Sequence, residues 1–130
     1  KSYKGKSLAW LKKECQKHFN QYIRLRDKDR CCISCGSPDT AHAAHFFPVK
    51  MYDELRYDEE NCHASCVKCN TFLYGNIFYY SKYLPKKIGQ ERFDALVRRA
   101  EESKKKTHKW NRWELIEKIE YYKEKCRSGH

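Results

Sequence analysis

Apolar residues recur every three or four positions near the start of the chain, directly after Ser7. This spacing predicts an amphipathic helix that is capped by the Ser7 hydroxyl and runs to about Arg26. The apolar stripe consists of Leu8, Leu11, Cys15, Phe19 and Tyr22. The other face carries the basic residues Lys12, Lys13, Lys17 and Arg24. Such a face is either solvated charge or a surface that contacts a nucleic-acid backbone.

Residues 71–84 form an aromatic-rich segment in the second half of the chain. They predict two helical pieces that are interrupted near Gly75 and Asn76 and end at Pro85, because proline disrupts helical hydrogen bonding. Aromatic residues at helical spacing are mostly core, which is the expectation for Phe72 and Phe78. For Tyr79 and Tyr80 two alternatives remain. They are either buried in the core or exposed, where they can stack on unpaired bases.

Two more amphipathic helices are predicted towards the end of the chain. Residues 90–106 have an apolar side of Phe93, Leu96 and Val97 and end in the basic run Lys104, Lys105 and Lys106. Asn111 is a suitable N-cap for the last helix. Its apolar stripe consists of Trp113, Ile116, Ile119, Tyr122 and Cys126. This stripe can pack on the domain or pair with a second copy of the chain.

A short strand is predicted between these helical regions. Residues 40–47 are small, aromatic and histidine-containing, and Pro48 ends them. Alternation along a strand places Ala43, His45 and Phe47 on one face. A histidine among alanines and phenylalanines is commonly a hydrogen-bonded core residue. However, an unperturbed imidazole titrates near neutrality, so His45 at the end of a strand is also suited to deprotonate a water molecule.

Two C-x-x-C pairs flank this strand and are separated by 30 residues. The pairs are Cys32 with Cys35 and Cys66 with Cys69. Together they can offer four thiolates to one tetrahedral structural Zn²⁺, whereas disulfides within such turns are strained and do not persist in a reducing compartment. Cys31 and Cys62 are alternative ligands. Apart from that use, the remaining thiols are expected to be reduced and partly buried: Cys15, Cys31, Cys62 and Cys126.

A chain of 130 residues predicts one domain, 1–130, to whose stability zinc contributes. It divides into a basic N-terminal helix (1–30), a zinc-knuckle core (31–84) and C-terminal helices (85–130). The chain has no apolar run of about 18 residues, so no membrane span is expected. Eight cysteines without a charged and apolar leader favour a reducing cytoplasm.

The net charge of +11 is unevenly distributed along the chain. Residues 1–30 carry ten Lys or Arg against three acids, residues 31–70 three against six, and residues 71–130 fifteen against eight. The acidic middle is suited to a divalent cation, and the basic flanks are suited to DNA phosphates. The candidate DNA-binding residues are Lys12, Lys13, Lys17, Arg24, Lys104 and Lys105.

The order of these motifs resembles the HNH, or ββα-metal, nucleases. In sequence the motifs are Cys32-x-x-Cys35, Ala-His45-Phe-x-Pro48, Glu60-Asn61-x-His63 and Cys66-x-x-Cys69-Asn70. More narrowly, the chain resembles the NinG (Rap) family of phage lambda recombination endonucleases, from about Leu8 towards Leu96. The resemblance implies an α+β, mostly helical fold, with a ββα-metal (HNH) core pinned by the four-cysteine zinc site and flanked by helices.

The resemblance also implies roles for individual residues. His45 matches the general base, and Asn61 matches the asparagine that ties the hairpin together and orients this base. Asn70 matches a ligand of the catalytic Mg²⁺ or Mn²⁺. Many family members have an aspartate as second metal ligand where this chain has Ala44. The alternative second ligands are His42, or Asp29 in Asp27-Lys-Asp29, unless those aspartates are only solvated charges.

The activity implied by the resemblance is metal-dependent hydrolysis of phosphodiester bonds in branched DNA, such as Holliday junctions and displacement loops, in a bacterial host's cytoplasm. Two nicks in opposite strands would suit a homodimer formed through the N-terminal or C-terminal helices. Two other readings stay open. One is a restriction-type HNH nuclease on linear duplex, and the other is a non-catalytic zinc-stabilised module that binds nucleic acid.

Overall fold

A small antiparallel sheet lies between four helices in this computed structural model, which describes residues 2–105 and 108–129. The helices are α1 (Leu8–Arg26), α2 (Ile77–Ile88), α3 (Gln90–Lys104) and α4 (Arg112–Arg127). The two strands are β1 (His42–His45) and β2 (Cys62–Ser65). The predicted α+β, mostly helical class is therefore confirmed. None of the described helices is long and apolar enough to cross a membrane.

Helix α1 begins where the sequence predicts. The Ser7 hydroxyl accepts a hydrogen bond of 3.0 Å from the Trp10 backbone N–H, which satisfies one of the free amides at the helix start. The buried stripe is Leu11, Cys15, Phe19 and Ile23, at a strict four-residue spacing. Leu8, expected in this stripe, is exposed in the first turn.

Helix α4 packs against α1 and completes the first of two core clusters. A reciprocal capping box between Asn111 and Glu114 starts the helix, as the candidate cap predicted. The buried stripe is Leu115, Ile119 and Tyr122. Trp113 was wrongly placed in it, because this residue lies about 200° around the helix from Leu115 and is 78% exposed. The apolar face of α4 therefore packs on the domain.

The sheet is the common wall of both core clusters. Its register pairs His42 with Ser65 and His45 with Cys62. Ala43 packs towards α1 and α4, whereas Ala44 is buried against α2 and α3 and its carbonyl accepts a hydrogen bond of 2.6 Å from Tyr80. The strand is shorter than the predicted 40–47. Phe47 lies beyond its end and packs with the second cluster, so its predicted place on the His45 face is wrong.

Helix α2 runs through Pro85 and ends at Ile88, so the predicted stop at Pro85 is wrong. Proline removes its own amide bond, but the following amides still bond: the Gly89 N–H donates to the Pro85 carbonyl over 2.8 Å. Packing of Leu84 on one side of the proline and Ile88 on the other offsets the lost bond.

Gly75 and Asn76 both have positive φ and interrupt the helical structure, as predicted. This interruption determines which residues of α2 face the core. Tyr80 and Leu84 face the core and are fully buried. The expected core residues were wrong: Phe72 and Phe78 are 69% and 71% exposed. The helix phase could not be read from the aromatic content alone, because aromatic residues occupy both faces of this segment.

Helix α3 packs on α2 and contributes to the second core cluster. Leu96 and Ala100 are fully buried, while Phe93 and Val97 are half-buried beside them. The helix ends at Lys104, followed by an exposed Lys105. Lys106, included in the predicted helix, lies outside the described residues.

Candidate metal centre and adjoining site

Four cysteine sulfurs converge beside the sheet. The Sγ atoms of Cys32, Cys35, Cys66 and Cys69 all lie within 4.8 Å of one another. The Cys35 and Cys66 sulfurs are 3.7 Å apart. Zinc bonds of about 2.3 Å in a tetrahedron require sulfurs about 3.8 Å apart, whereas a disulfide requires about 2 Å. The group can therefore hold a structural metal such as zinc, and all eight cysteines are free thiols.

Hydrogen-bonding groups contact cysteine sulfurs in both C-x-x-C pairs of this centre. The first knuckle (residues 32–36) is linked to β2 by Ser65, whose hydroxyl lies 3.7 Å from the Cys32 sulfur. In the second knuckle (residues 66–70), the Cys69 backbone N–H points at the Cys66 sulfur over 3.3 Å. The Asn76 amide donates to the Cys69 sulfur over 3.5 Å. Donors placed on sulfur favour thiolate ligands and fix their orientation.

The cysteine pKa values differ across the centre. Burial raises the pKa of Cys32, but backbone N–H groups in both knuckles outweigh burial and bring it to about 6. Burial, reinforced by the neighbouring thiols, raises the pKa of Cys69 to about 12. A bound cation is therefore needed to keep four thiolates together at neutral pH.

The remaining cysteines lie outside the group of four. Cys15 and Cys62 are fully buried, and burial raises their pKa values to about 11 and about 12, which keeps them as thiols. Cys126 is half-buried, and Cys31 is exposed, although a partly buried thiol was expected there. The alternative use of Cys31 or Cys62 as a ligand finds no support in this arrangement.

Asn70 is positioned by the metal centre, because it follows Cys69 in a π-helical turn (Lys68–Phe72). Its side-chain amide donates to Nδ1 of His42 over 3.0 Å. The sheet register brings His42 there by pairing it with Ser65, the residue before the second knuckle. Two of the candidate ligands of a catalytic cation, one amide and one imidazole, are thus in contact.

His45 lies at the other end of β1, about 10 Å from His42 along the strand. Its Nε2 lies 2.8 Å from the carbonyl oxygen of Arg56 and therefore carries the proton. Nδ1 is then the unprotonated nitrogen that can accept a proton. Burial lowers the pKa of His45, and its ring stacks on Phe19 with centroids 6.4 Å apart. The imidazole is therefore neutral at pH 7.

Asn61 closes the loop that joins the two strands. Its Oδ1 accepts from the Phe47 N–H over 2.8 Å, and its Nδ2 donates to the Phe47 carbonyl over 3.0 Å. A longer bond of 3.3 Å reaches the Leu55 carbonyl. The side chain is fully buried, so these bonds hold the chain directly after His45 in place.

Asp27 is the centre of a buried ionic cluster that the sequence does not reveal. Its carboxylate accepts two bonds of 2.9 Å from Arg26 and one of 2.7 Å from Lys87. It also accepts from the Ala64 N–H in β2 over 3.0 Å. Burial would raise the pKa of Asp27, but Arg26 and Lys87 hold it well below its usual range. Asp27 therefore has a structural role as the buried counter-charge of Arg26 and Lys87.

His63 borders this cluster from β2, opposite Ala44. It is 1% exposed, and its Nε2 donates to the Glu60 carbonyl over 2.9 Å. Burial, with the charges of Lys87 and Arg26, lowers the pKa of His63 to about 3. This histidine stays neutral across the physiological range and serves the packing of the sheet.

Asp27→Asn is expected to lower the free energy of unfolding by about 3–5 kcal/mol, because it leaves Arg26 and Lys87 buried without their counter-charge. Asp29→Asn should leave stability within about 0.5 kcal/mol, since Asp29 is exposed in the turn after α1. Urea unfolding at pH 7 measures both variants. Equal stability of the two variants would contradict the structural role of Asp27.

The candidate DNA-binding residues differ in whether their side chains already contact other residues of the chain. Lys13, Arg24 and Lys105 are exposed. Three others have contacts within the chain: Lys12 lies 3.6 Å from Asp53, Lys17 lies 3.8 Å from Glu14, and Lys104 lies over the Tyr52 ring. The first three are therefore the most readily available to phosphates.

Comparisons with known proteins give a consistent set of relatives. A family model described as Bacteriophage Lambda NinG protein matches residues 1–130. Protein ninG of Escherichia phage 933W is 39% identical over 103 residues, which cover 78% of this chain and 48% of that protein. The proteins of the same name from Escherichia phage lambda and Salmonella phage P22 are each 38% identical with the same coverage. The chain thus spans about half the length of these relatives. No solved structure matches it.

Proposed function

The chain belongs to the NinG family, and from this premise we propose that it is a metal-dependent DNA endonuclease of the HNH, or ββα-metal, type. Its proposed substrates are branched recombination intermediates, namely Holliday junctions and displacement loops. One observation carries the proposal: the contact between Asn70, which follows the last cysteine of the metal centre, and His42 on β1. It brings two metal-ligating groups to the strand that ends in the candidate base, His45.

The substitution of alanine for the usual aspartate is compatible with this site. Ala44 and His42 are two residues apart on β1, so their side chains project from the same face of the sheet. An imidazole at His42 can therefore occupy the side where related nucleases place a carboxylate. Its nitrogen favours a transition ion such as Mn²⁺ over Mg²⁺, which prefers oxygen ligands.

The proposed reaction is hydrolysis of a phosphodiester bond. The divalent cation would take the place of the Asn70–His42 hydrogen bond and would be held by the Asn70 amide oxygen and by Nδ1 of His42, the nitrogen that accepts from the Asn70 amide. It would supply positive charge for the phosphate and the leaving oxygen. Nδ1 of His45 accepts a proton from the water that attacks phosphorus in line. The Arg56 carbonyl keeps the opposite ring nitrogen protonated, so the base has one defined tautomer. Asn61 holds the backbone after His45 and thereby positions it.

Exposed basic residues on α1 and after α3 support a DNA substrate. Lys13 and Arg24 are exposed on α1, and Lys105 is exposed after α3. These charges would bind phosphates without selecting a sequence. Resolution of a junction requires two nicks, and a homodimer would supply two sites.

The test is nicking of a labelled four-way junction and of a linear duplex of equal length, with Mg²⁺, Mn²⁺ or no added divalent ion. Junction-selective, metal-dependent nicking is the expected result. Asn70→Ala should raise the metal concentration for half-maximal rate about ten-fold or more. Asn20→Ala is the matched control, because the Asn20 side chain accepts a hydrogen bond from Gln16 within α1, and this variant should behave as the parent.

Two results would replace the proposal. Equal cutting of junction and duplex would indicate a nuclease of linear DNA. Tight DNA binding without nicking in either metal would leave a zinc-stabilised nucleic-acid-binding module.

A further inference from the structure

A cleft of about 750 Å³ opens between the first knuckle and α2. Three cationic side chains line it, Arg30, Lys86 and Lys87, and no carboxylate is among its lining residues. Tyr79 and Tyr83 form its aromatic side. This volume is within the range of about 300–1,000 Å³ that small-molecule sites occupy.

The two tyrosines lie one helical turn apart on α2 and keep free surface, 44% for Tyr79 and 38% for Tyr83. The ammonium groups of Lys82 and Lys86 lie 5.8 Å and 5.5 Å from the Tyr83 ring centre. Aromatic faces beside cations match the two parts of a nucleotide, because bases stack on rings and phosphates bind cations.

The cations of the cleft do not contribute equally. Lys87 is paired with Asp27 over 2.7 Å and is largely buried. Arg30 and Lys86 are exposed and have no carboxylate partner among the ion pairs of the described residues. A phosphate in the cleft would therefore be bound by Arg30 and Lys86, while Lys87 holds α2 against the end of α1.

The cleft shares one wall with the metal centre. Asn76 lines the cleft and donates to the Cys69 sulfur, and Cys69 directly precedes Asn70. The Ser34 hydroxyl of the first knuckle donates to the Gly75 carbonyl over 3.0 Å, which joins the two sides of this wall. DNA held in the cleft would therefore lie beside the candidate nuclease site.

We propose that this cleft binds an unpaired nucleotide of DNA, with its base against Tyr79 and Tyr83 and its phosphate at Arg30 and Lys86. The inference rests on the proposed function and adds the feature by which the site selects branched DNA. Bases inside a duplex must first be unpaired and unstacked to enter such a cleft, whereas the single-stranded bases of a displacement loop or a gap can enter it without that cost.

The test is binding without added divalent ion, so that cutting does not interfere. Two labelled DNAs are compared by fluorescence anisotropy: a duplex with a short single-stranded gap that contains 2-aminopurine, and the same duplex fully paired. For the double variant Tyr79→Ala with Tyr83→Ala, gapped DNA should bind about 5- to 150-fold more weakly, with duplex binding changed less than about two-fold. The parent should quench 2-aminopurine in the gap, and the double variant should not.

Two control variants separate stacking from other effects. Tyr83→Phe keeps the ring and should bind gapped DNA as the parent does. Tyr121→Ala removes another exposed tyrosine with a lysine over its ring, 5.6 Å away on α4, and should change nothing. Zinc content and circular dichroism verify that each variant is folded.

Three results would contradict the proposed binding of an unpaired nucleotide in the cleft. The double variant could bind gapped DNA as tightly as the parent, or it could lose affinity equally for gapped and fully paired DNA. The parent itself could also fail to bind gapped DNA. None of these measurements uses catalysis. Failure of the nuclease proposal appears separately, as gapped DNA that is bound but never nicked.

Discussion

Cys32→Ser is expected to abolish stoichiometric zinc binding and cooperative unfolding, whereas Cys31→Ser should leave both unchanged. The two residues are neighbours, but only Cys32 belongs to the group of four sulfurs, and Cys31 is exposed outside it. Structural zinc contributes about 10–16 kcal/mol of apparent binding free energy in small zinc domains, which exceeds the whole stability of many domains. Loss of one ligand therefore removes the largest single stabilising contribution.

The structure also indicates what would remain in this variant. The α1 and α4 helices pack through their own core cluster, and no zinc ligand is part of it. The sheet has only four residues in each strand, and its second strand leads directly into the second knuckle. We therefore expect partial helicity with the sheet and the second knuckle disordered.

Metal content by atomic emission and thermal unfolding by circular dichroism measure these outcomes. The parent should carry one zinc per chain and unfold in one transition. Loss of zinc from Cys31→Ser and its retention in Cys32→Ser would show that the ligand set is wrong. A parent without metal and with paired cysteines would show that the centre is not a metal site.

The elements that the sequence predicts well are those whose causes are local. The starts of α1 and α4 follow from Ser7 and Asn111, whose side chains cap the nearest free amides. The cysteine group follows from the spacing within each pair, because a C-x-x-C turn points both sulfurs the same way. The two caps depend on no distant part of the chain, and in the cysteine group only the meeting of the two pairs does.

The elements that the sequence does not predict depend on tertiary contacts. The faces of α2 and α4 were misassigned at Phe78 and Trp113, because an aromatic residue is compatible with either face until packing fixes the helix phase. The Asp27 cluster joins α1, β2 and α2, which no local pattern connects. The contact of His42 with Asn70 likewise requires the register of the sheet.

His45→Ala is expected to slow metal-dependent nicking of a four-way junction by about 10²- to 10⁴-fold, which is the usual contribution of a general base. His45 does not belong to the zinc group, so zinc content should be unchanged. His18→Ala is the matched control. This histidine pairs with Glu14 on α1 and should keep the parent rate.

The pH dependence gives an independent test of the role of His45. Burial lowers the pKa of His45 below its ordinary value, and the positive charge of Arg56 lowers it further, whereas the hydrogen bond that Nε2–H donates to the Arg56 carbonyl opposes this shift. A general base acts only when it is unprotonated. The parent rate should therefore fall as the pH drops through this lowered pKa and be level at neutral pH and above.

The two tests together separate a base from a residue that only supports the fold. If His45 is the base, His45→Ala loses both the rate and the acidic limb of the profile, with its zinc and its unfolding transition retained. If His45 only packs against Phe19, the variant becomes less stable, but the rate of its folded fraction and the acidic limb remain. The second outcome would require the proton acceptor to be sought elsewhere along β1, where His42 is the other histidine of the strand.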